Sequence, residues 1–119
     1  MHYDLEGKTF TSISNTGSGE VGEDTVFHYH QEGRVVWAEY TGGAIVKGHL
    51  IAQVIEDGKL DMRYHHVNTA GEIMIGTCIS TPGTSGDGRL IFKEAWQWLS
   101  GDRSSGSSEI IEVDRSGDR

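Results

Sequence analysis

Apolar residues alternate with polar ones along most of this chain, and the alternating runs are rich in β-branched and aromatic side chains. An alternation of period two is typical of strands that bury one face. Short turn signals such as Gly42-Gly43 and Asp57-Gly58 separate the runs. Connections this short force successive strands to run antiparallel. The pattern predicts eight strands, at residues 8–15, 25–31, 34–41, 44–55, 59–68, 72–81, 89–99 and 108–114.

An open meander of eight strands would leave two unpaired edges, and closing the sheet removes both. The predicted fold is therefore all-β, an eight-stranded antiparallel up-and-down meander closed into a small barrel. We expect residues 1–114 to form this single domain and 115–119 to form a flexible tail. Residues 89–100 leave an alternative open, because their apolar positions also fit helical spacing. A helix there would leave seven strands and a covering helix.

Turn type fixes the register of each hairpin and thereby decides which side chains share a face. A three-residue loop ending at Gly58 pairs Gly48 with His66, and the same loop type in the next hairpin pairs Tyr64 with Gly76. Large aromatic residues then share one face with two glycines. The glycines leave space there, and an eight-stranded barrel is about the size that holds one small ligand.

The same loop type at residues 31–33 pairs Tyr29 with Val35 and Phe27 with Trp37. With the remaining hairpins treated alike, one face becomes the predicted interior. Its members are Phe27, Tyr29, Val35, Trp37, Glu39, Val46, Leu50, Met62, Tyr64, His66, Met74, Cys78, Phe92, Trp96 and Trp98, together with Glu94.

Two carboxylates, Glu39 and Glu94, fall on this predicted interior face. A buried carboxylate costs several kcal/mol unless it is paired, hydrogen-bonded or protonated, so both require an explanation. The leading interpretation is a barrel that binds a small molecule in an aromatic pocket with polar groups. The predicted ligand-binding residues are Tyr29, Trp37, Glu39, Tyr64, His66, Glu94, Trp96 and Trp98.

Two other interpretations of the interior stay open. In the first, the barrel is a small enzyme of the cyclase, isomerase or dehydratase type, with Glu39 or Glu94 as base and His66 or Tyr64 as acid. In the second, the core is solid and the domain serves as an interaction module. A pocket that holds acid and base within hydrogen-bond reach would favour the enzyme.

Four of the six histidines suggest a metal site. His28 and His30 share a strand face, and the register places His49 beside His65. Imidazoles that converge across strands can bind zinc, copper or haem iron. All four positions fall on the predicted outer face, however, where a solvated histidine patch is the simpler explanation.

Composition narrows the classes of partner. The net charge is −8 and no basic stripe is present, which argues against nucleic acid and against an anionic membrane. The single cysteine, Cys78, excludes an internal disulfide, and the N-terminal residues show no apolar signal region. We therefore expect a cytoplasmic protein, monomeric or homodimeric, whose partner is a small molecule and which needs no cofactor.

The meander beginning near Gly7-Lys8-Thr9-Phe10 resembles the calycin-type barrels, namely lipocalins, fatty-acid-binding proteins and avidins. The resemblance covers most of the chain, although calycin strands usually open with Gly-x-Trp. It implies a barrel with a small-molecule pocket.

A second resemblance rests on Phe27-His28-Tyr29-His30-Gln31-Glu32-Gly33, Val36-Trp37-Ala38-Glu39-Tyr40, Ile45-Val46-Lys47-Gly48-His49-Leu50-Ile51 and Trp96-Gln97-Trp98. These segments are similar to small bacterial proteins of unknown role, some of them catalogued as N-acetylglutamate synthase. That activity implies an acetyl-CoA loop of the pattern Q/R-x-x-G-x-G/A. The nearest stretch, residues 103–108, lacks the last glycine or alanine and no helical pattern follows it, so we do not expect the activity.

Overall fold

The computed structural model describes residues 3–17 and 19–113. It is an all-β protein whose eight strands each pair antiparallel with the next, while β1 pairs with β8 to close the barrel. The predicted fold is thus confirmed, and the predicted tail at 115–119 lies outside the described residues. The strands are β1 (Thr9–Asn15), β2 (Val26–Glu32), β3 (Val35–Gly42), β4 (Ile45–Val54), β5 (Leu60–Asn68), β6 (Ile73–Thr84), β7 (Leu90–Trp98) and β8 (Ser105–Glu112).

Helical geometry in the described residues is confined to one 3-10 turn at Glu56–Gly58. The helical alternative for residues 89–100 is wrong, because β7 pairs along its length with β6 and β8. Its side chains alternate as a strand requires: Phe92, Trp96 and Trp98 are buried, whereas Lys93 is exposed. None of the described segments forms a helix that could cross a bilayer.

The two ends of the barrel are closed by different parts of the chain. At the lower end, the segment before β1 folds across the opening, with Leu5 fully buried and its amide donating to Gln31 Oε1 at 2.9 Å. The Tyr3 ring meets Phe92 edge-on at 5.7 Å. At the upper end lie the β1–β2 connection and the β3–β4, β5–β6 and β7–β8 turns.

The lower half of the barrel is packed with side chains. Phe10, Tyr29 and Phe92 are at most 1% exposed. The Phe10 ring centroid lies 5.1 Å from that of Tyr29 and 5.7 Å from that of Phe92, which are normal packing distances for aromatic pairs.

The predicted register is confirmed on one side of the barrel. Gly48 pairs with His66, and Tyr64 pairs with Gly76. Both hairpins contain a glycine with positive φ in the turn, Gly58 at 74° and Gly71 at 81°. Such a glycine favours one loop geometry and thereby fixes the pairing of the flanking strands.

The predicted register of the β2–β3 hairpin is wrong. Its turn has two residues, Gly33-Arg34, so Glu32 pairs with Val35, and Tyr29 pairs with Ala38 instead of Val35. The shift reverses the faces of β3.

The reversal moves two predicted site residues out of the interior. Trp37 and Glu39 lie on the outer face of β3, whereas Tyr40 points inward and is 3% exposed. A register irregularity in β4 likewise leaves Val46 on the outside, 56% exposed. Val35, also predicted inside, is 42% exposed.

Candidate functional site

The upper half of the barrel encloses a cavity of about 50 Å³. A cavity needs roughly 10–15 Å³ to hold a single buried water, so this one exceeds that minimum several-fold. Its walls come from all eight strands and from the β1–β2 connection. The lining residues are Asn15, Gly19, Glu20, Val21, Phe27, Tyr40, Leu50, Met62, Tyr64, His66, Cys78, Glu94, Trp96, Trp98 and Ser108.

Three aromatic side chains of this wall each lie over a glycine on the neighbouring strand. Directly paired are Tyr40 with Gly48, Tyr64 with Gly76 and Trp96 with Gly106. A Cβ atom at Gly48 would come within 2.5 Å of the Tyr40 ring, and one at Gly106 within 2.6 Å of the Trp96 ring. The sequence predicts that Gly48 and Gly76 leave empty space, and that prediction is wrong. The three glycines allow the rings to lie against the barrel wall.

Glu94 lies inside the barrel between two serines. Ser80 Oγ donates to Glu94 Oε2 at 3.1 Å, and Ser108 Oγ donates to Oε1 at 3.0 Å. Burial raises the pKa of Glu94 from 4.5 to about 7, and the two serine hydrogen bonds oppose that rise because they favour the carboxylate. Glu94 therefore changes protonation state near neutral pH.

The mouth of the cavity is occupied by a side chain from the β1–β2 connection. Glu20 Oε1 accepts a hydrogen bond from His66 Nε2 at 2.8 Å, and Asn68 Nδ2 donates to Glu20 Oε2 at 3.1 Å. His66 and Asn68 both lie near the upper end of β5 and are buried. Glu20 thus joins the connection to the barrel wall.

The hydrogen bonds of His66 define its tautomer. Burial lowers the pKa of His66, although its hydrogen bond with Glu20 works in the opposite direction. In the neutral ring, Nε2 carries the proton because the Glu20 carboxylate can only accept. Nδ1 then accepts from the Tyr40 hydroxyl at 3.0 Å. A carboxylate, an imidazole and a phenol therefore form one chain along the cavity wall.

Comparison with known protein families gives one result. The model of a family described as avidin-like protein matches residues 3–113. The chain belongs to the avidin-like family. No curated protein and no solved structure matches it.

In this avidin-like barrel, five of the eight predicted ligand-binding residues line the cavity: Tyr64, His66, Glu94, Trp96 and Trp98. Tyr29 is interior but belongs to the packed half, and its buried hydroxyl has no hydrogen-bond partner among the described residues. Trp37 and Glu39 are on the outer face, because the observed register of the β2–β3 hairpin reverses the predicted faces of β3.

Sequence reasoning missed several residues of the site. Tyr40 is not among the predicted interior residues, because the predicted register turns Glu39 inward, and no sequence pattern marks Glu20 in the β1–β2 connection. Ser80 and Ser108 were not singled out because a lone serine in a strand carries no pattern. Gly48 was the available signal for Tyr40, because an inward glycine indicates a large ring on the paired position.

The four histidines proposed for a metal site lie on the outer face, as predicted. His28 and His49 both neighbour Glu39 across strands, and the His49 and His65 rings lie 6.1 Å apart. His30 Nε2 is 2.9 Å from Glu39 Oε1, and this hydrogen bond raises the pKa of His30. Among the residues that the structure describes, no group of three or more His, Cys, Asp or Glu side chains could hold a metal ion.

The acid–base interpretation loses one of its two candidate bases. Glu39 and Glu94 lie on opposite faces of the barrel wall, so they cannot act on one substrate in one pocket. Glu94 and His66 do line the same cavity. His66, however, is already hydrogen-bonded at both ring nitrogens, to Glu20 and Tyr40.

Proposed function

We propose that this avidin-like protein binds one compact, partly apolar molecule in the upper half of its barrel. The observation that carries the proposal is a cavity with aromatic walls and with polar groups at two places. These places are Glu94 in the interior and the Glu20–His66 pair at the mouth. Binding sites for small molecules are typically concave and mostly apolar, with a few polar groups that fix the orientation of the ligand. Membership of the avidin-like family is consistent with this function.

The polar groups supply that orientation. Glu94 offers a carboxyl group in the interior, and its serine partners hold it in place. Nearer the mouth, the Trp96 indole nitrogen donates to Asn15 Oδ1 at 3.1 Å, and this hydrogen bond fixes the orientation of the Trp96 ring. A bound molecule would make apolar contacts with Leu50 and Met62.

The size of the cavity limits the ligand. At about 50 Å³ it is far smaller than the 300–1,000 Å³, roughly, of pockets for drug-sized molecules. A larger ligand would have to displace Glu20 and the connection that carries it. A ligand that fits the cavity without displacing Glu20 therefore has only a few heavy atoms.

The test is a calorimetric titration with a panel of compact molecules that are neutral, cationic or anionic. We expect at least one to bind saturably at one per chain. Cys78→Met should abolish that binding because it fills the cavity. Ile79→Met should leave it unchanged, since Ile79 is the next residue of β6 and faces outward. Equal binding to wild type and Cys78→Met, or no saturable binding by any member, would refute the proposal.

A further inference from the structure

The charges around the cavity have one sign. Its lining includes two carboxyl groups, Glu20 and Glu94, and no lysine or arginine from the described part of the chain. His66 is neutral near pH 7 because burial lowers its pKa. A ligand in this cavity therefore meets negative charge or no charge.

Glu94 in particular lacks a positive partner. Both of its oxygens accept from serine hydroxyls, at 3.1 Å from Ser80 and 3.0 Å from Ser108, and none of the ion pairs formed by described residues includes it. A carboxylate removed from water is stabilised strongly by an opposite charge close to it. The cavity is the space beside Glu94 from which such a charge could come.

The aromatic residues of the cavity wall also suit a positively charged ligand. Aromatic rings attract cations over their faces within about 6 Å of the ring centroid, and clusters of rings recognise quaternary ammonium groups. Here the Trp96 and Trp98 centroids lie 5.8 Å apart, and the Tyr64 ring lies 5.7 Å from that of Trp98. Leu50, which pairs with Tyr64 across β4 and β5, and Met62 on β5 offer apolar contacts to methyl groups.

We propose that the cavity binds a small organic cation of the methylated ammonium class, with its charge balanced by Glu94 and its methyl groups against the aromatic wall. This inference rests on the proposed function and names the ligand class for the same site.

The inference predicts how affinity depends on pH. A cation prefers ionised Glu94, so its affinity should rise as Glu94 loses its proton. Four other titratable groups face Glu94, namely Tyr29, Tyr40, Tyr64 and Cys78, and because burial raises the pKa of each they stay neutral near pH 7. At the mouth of the same cavity, burial lowers the pKa of His66, whose hydrogen-bond partner is Glu20. Because burial raises the pKa of Glu94 to about 7, affinity should increase about tenfold from pH 6.0 to pH 8.5.

The experiment compares tetramethylammonium with tert-butanol, an uncharged molecule of similar shape, by calorimetry at both pH values. We expect wild type to bind tetramethylammonium more tightly, with the tenfold pH effect. Glu94→Gln should weaken tetramethylammonium binding at least tenfold at pH 8.5 and remove its pH dependence. Glu109→Gln removes the same charge from the outer face beside Lys93 and should behave as wild type.

Three outcomes would overturn the inference: tert-butanol binds as tightly as tetramethylammonium, the cation does not bind, or Glu94→Gln binds the cation as wild type does. In the first two cases, binding of tert-butanol would still support a ligand pocket. If Glu94→Gln fails to fold, the pH dependence of wild type decides, because a pH-independent affinity contradicts a role for Glu94.

Discussion

Glu94 bears two opposing influences on its ionisation. Burial favours the neutral acid, whereas the hydroxyls of Ser80 and Ser108 favour the carboxylate. Burial dominates, and the pKa of Glu94 rises from 4.5 to about 7. The folded barrel therefore holds a proton that the unfolded chain releases at lower pH.

This retained proton makes stability depend on pH. As pH rises from 4.5 to 7, the unfolded state gives up the Glu94 proton before the folded state does, so the free energy of unfolding falls. A pKa shift of this size changes the free energy of unfolding by about 3 kcal/mol. This contribution to stability is fully present below pH 4.5 and is lost above pH 7. Glu94→Gln keeps a neutral side chain and should lack this component.

Urea denaturation of both proteins at several values between pH 5 and pH 8 measures the effect. Glu94→Gln should gain stability relative to wild type as pH rises. Parallel stability curves for the two proteins would show that Glu94 does not titrate in this range. The comparison cancels the contributions of other groups, such as His66, that both proteins share.

The interior residues of β5, β6 and β7 could be assigned from sequence, but those of β3 could not. Gly58 sets the turn before β5, so the faces of Tyr64 and His66 follow from it. In β3, apolar residues occupy both faces, and nothing in the local pattern separates Trp37 from Tyr40. The contact between Glu20 and His66 joins residues 46 positions apart, and no sequence pattern encodes it.

Strands β4, β6 and β8 each contribute one glycine to the wall beneath an aromatic ring. The sequence placed Gly48 and Gly76 inside the barrel, but Gly106 was missed because the last strand was predicted to begin at 108, whereas β8 begins at Ser105. These glycines cost backbone entropy in a strand. Their role is to admit the ring of the paired residue.

Gly76→Ala tests this role. The added methyl group would overlap the Tyr64 ring, and displacing a ring in a packed wall should lower the free energy of unfolding by about 1–3 kcal/mol. Gly83→Ala is the matched control in the same strand, because its Cβ would meet nothing closer than 4.0 Å. It should change stability by about 0.5 kcal/mol or less. Equal effects of the two substitutions in urea denaturation would contradict the role assigned to Gly76.

The barrel as a whole consists of a packed lower half and a hollow upper half. Closure of the meander followed from the need to remove sheet edges. The position of the cavity could not be predicted from the sequence. It depends on which large rings lie flat against the barrel wall and which extend into the centre of the barrel. Phe10, Tyr29 and Phe92 fill the lower half, whereas Tyr40 and Tyr64 leave the upper half open.

A crystal structure of the protein under xenon pressure tests this division most directly, because xenon enters apolar cavities large enough to hold it. We expect a xenon atom in the upper half, in contact with Leu50, Met62 and Cys78, and none among the rings of the lower half. Xenon bound between Phe10 and Phe92, or a barrel interior without xenon at a pressure that loads a reference protein, would contradict a ligand-sized cavity in the upper half.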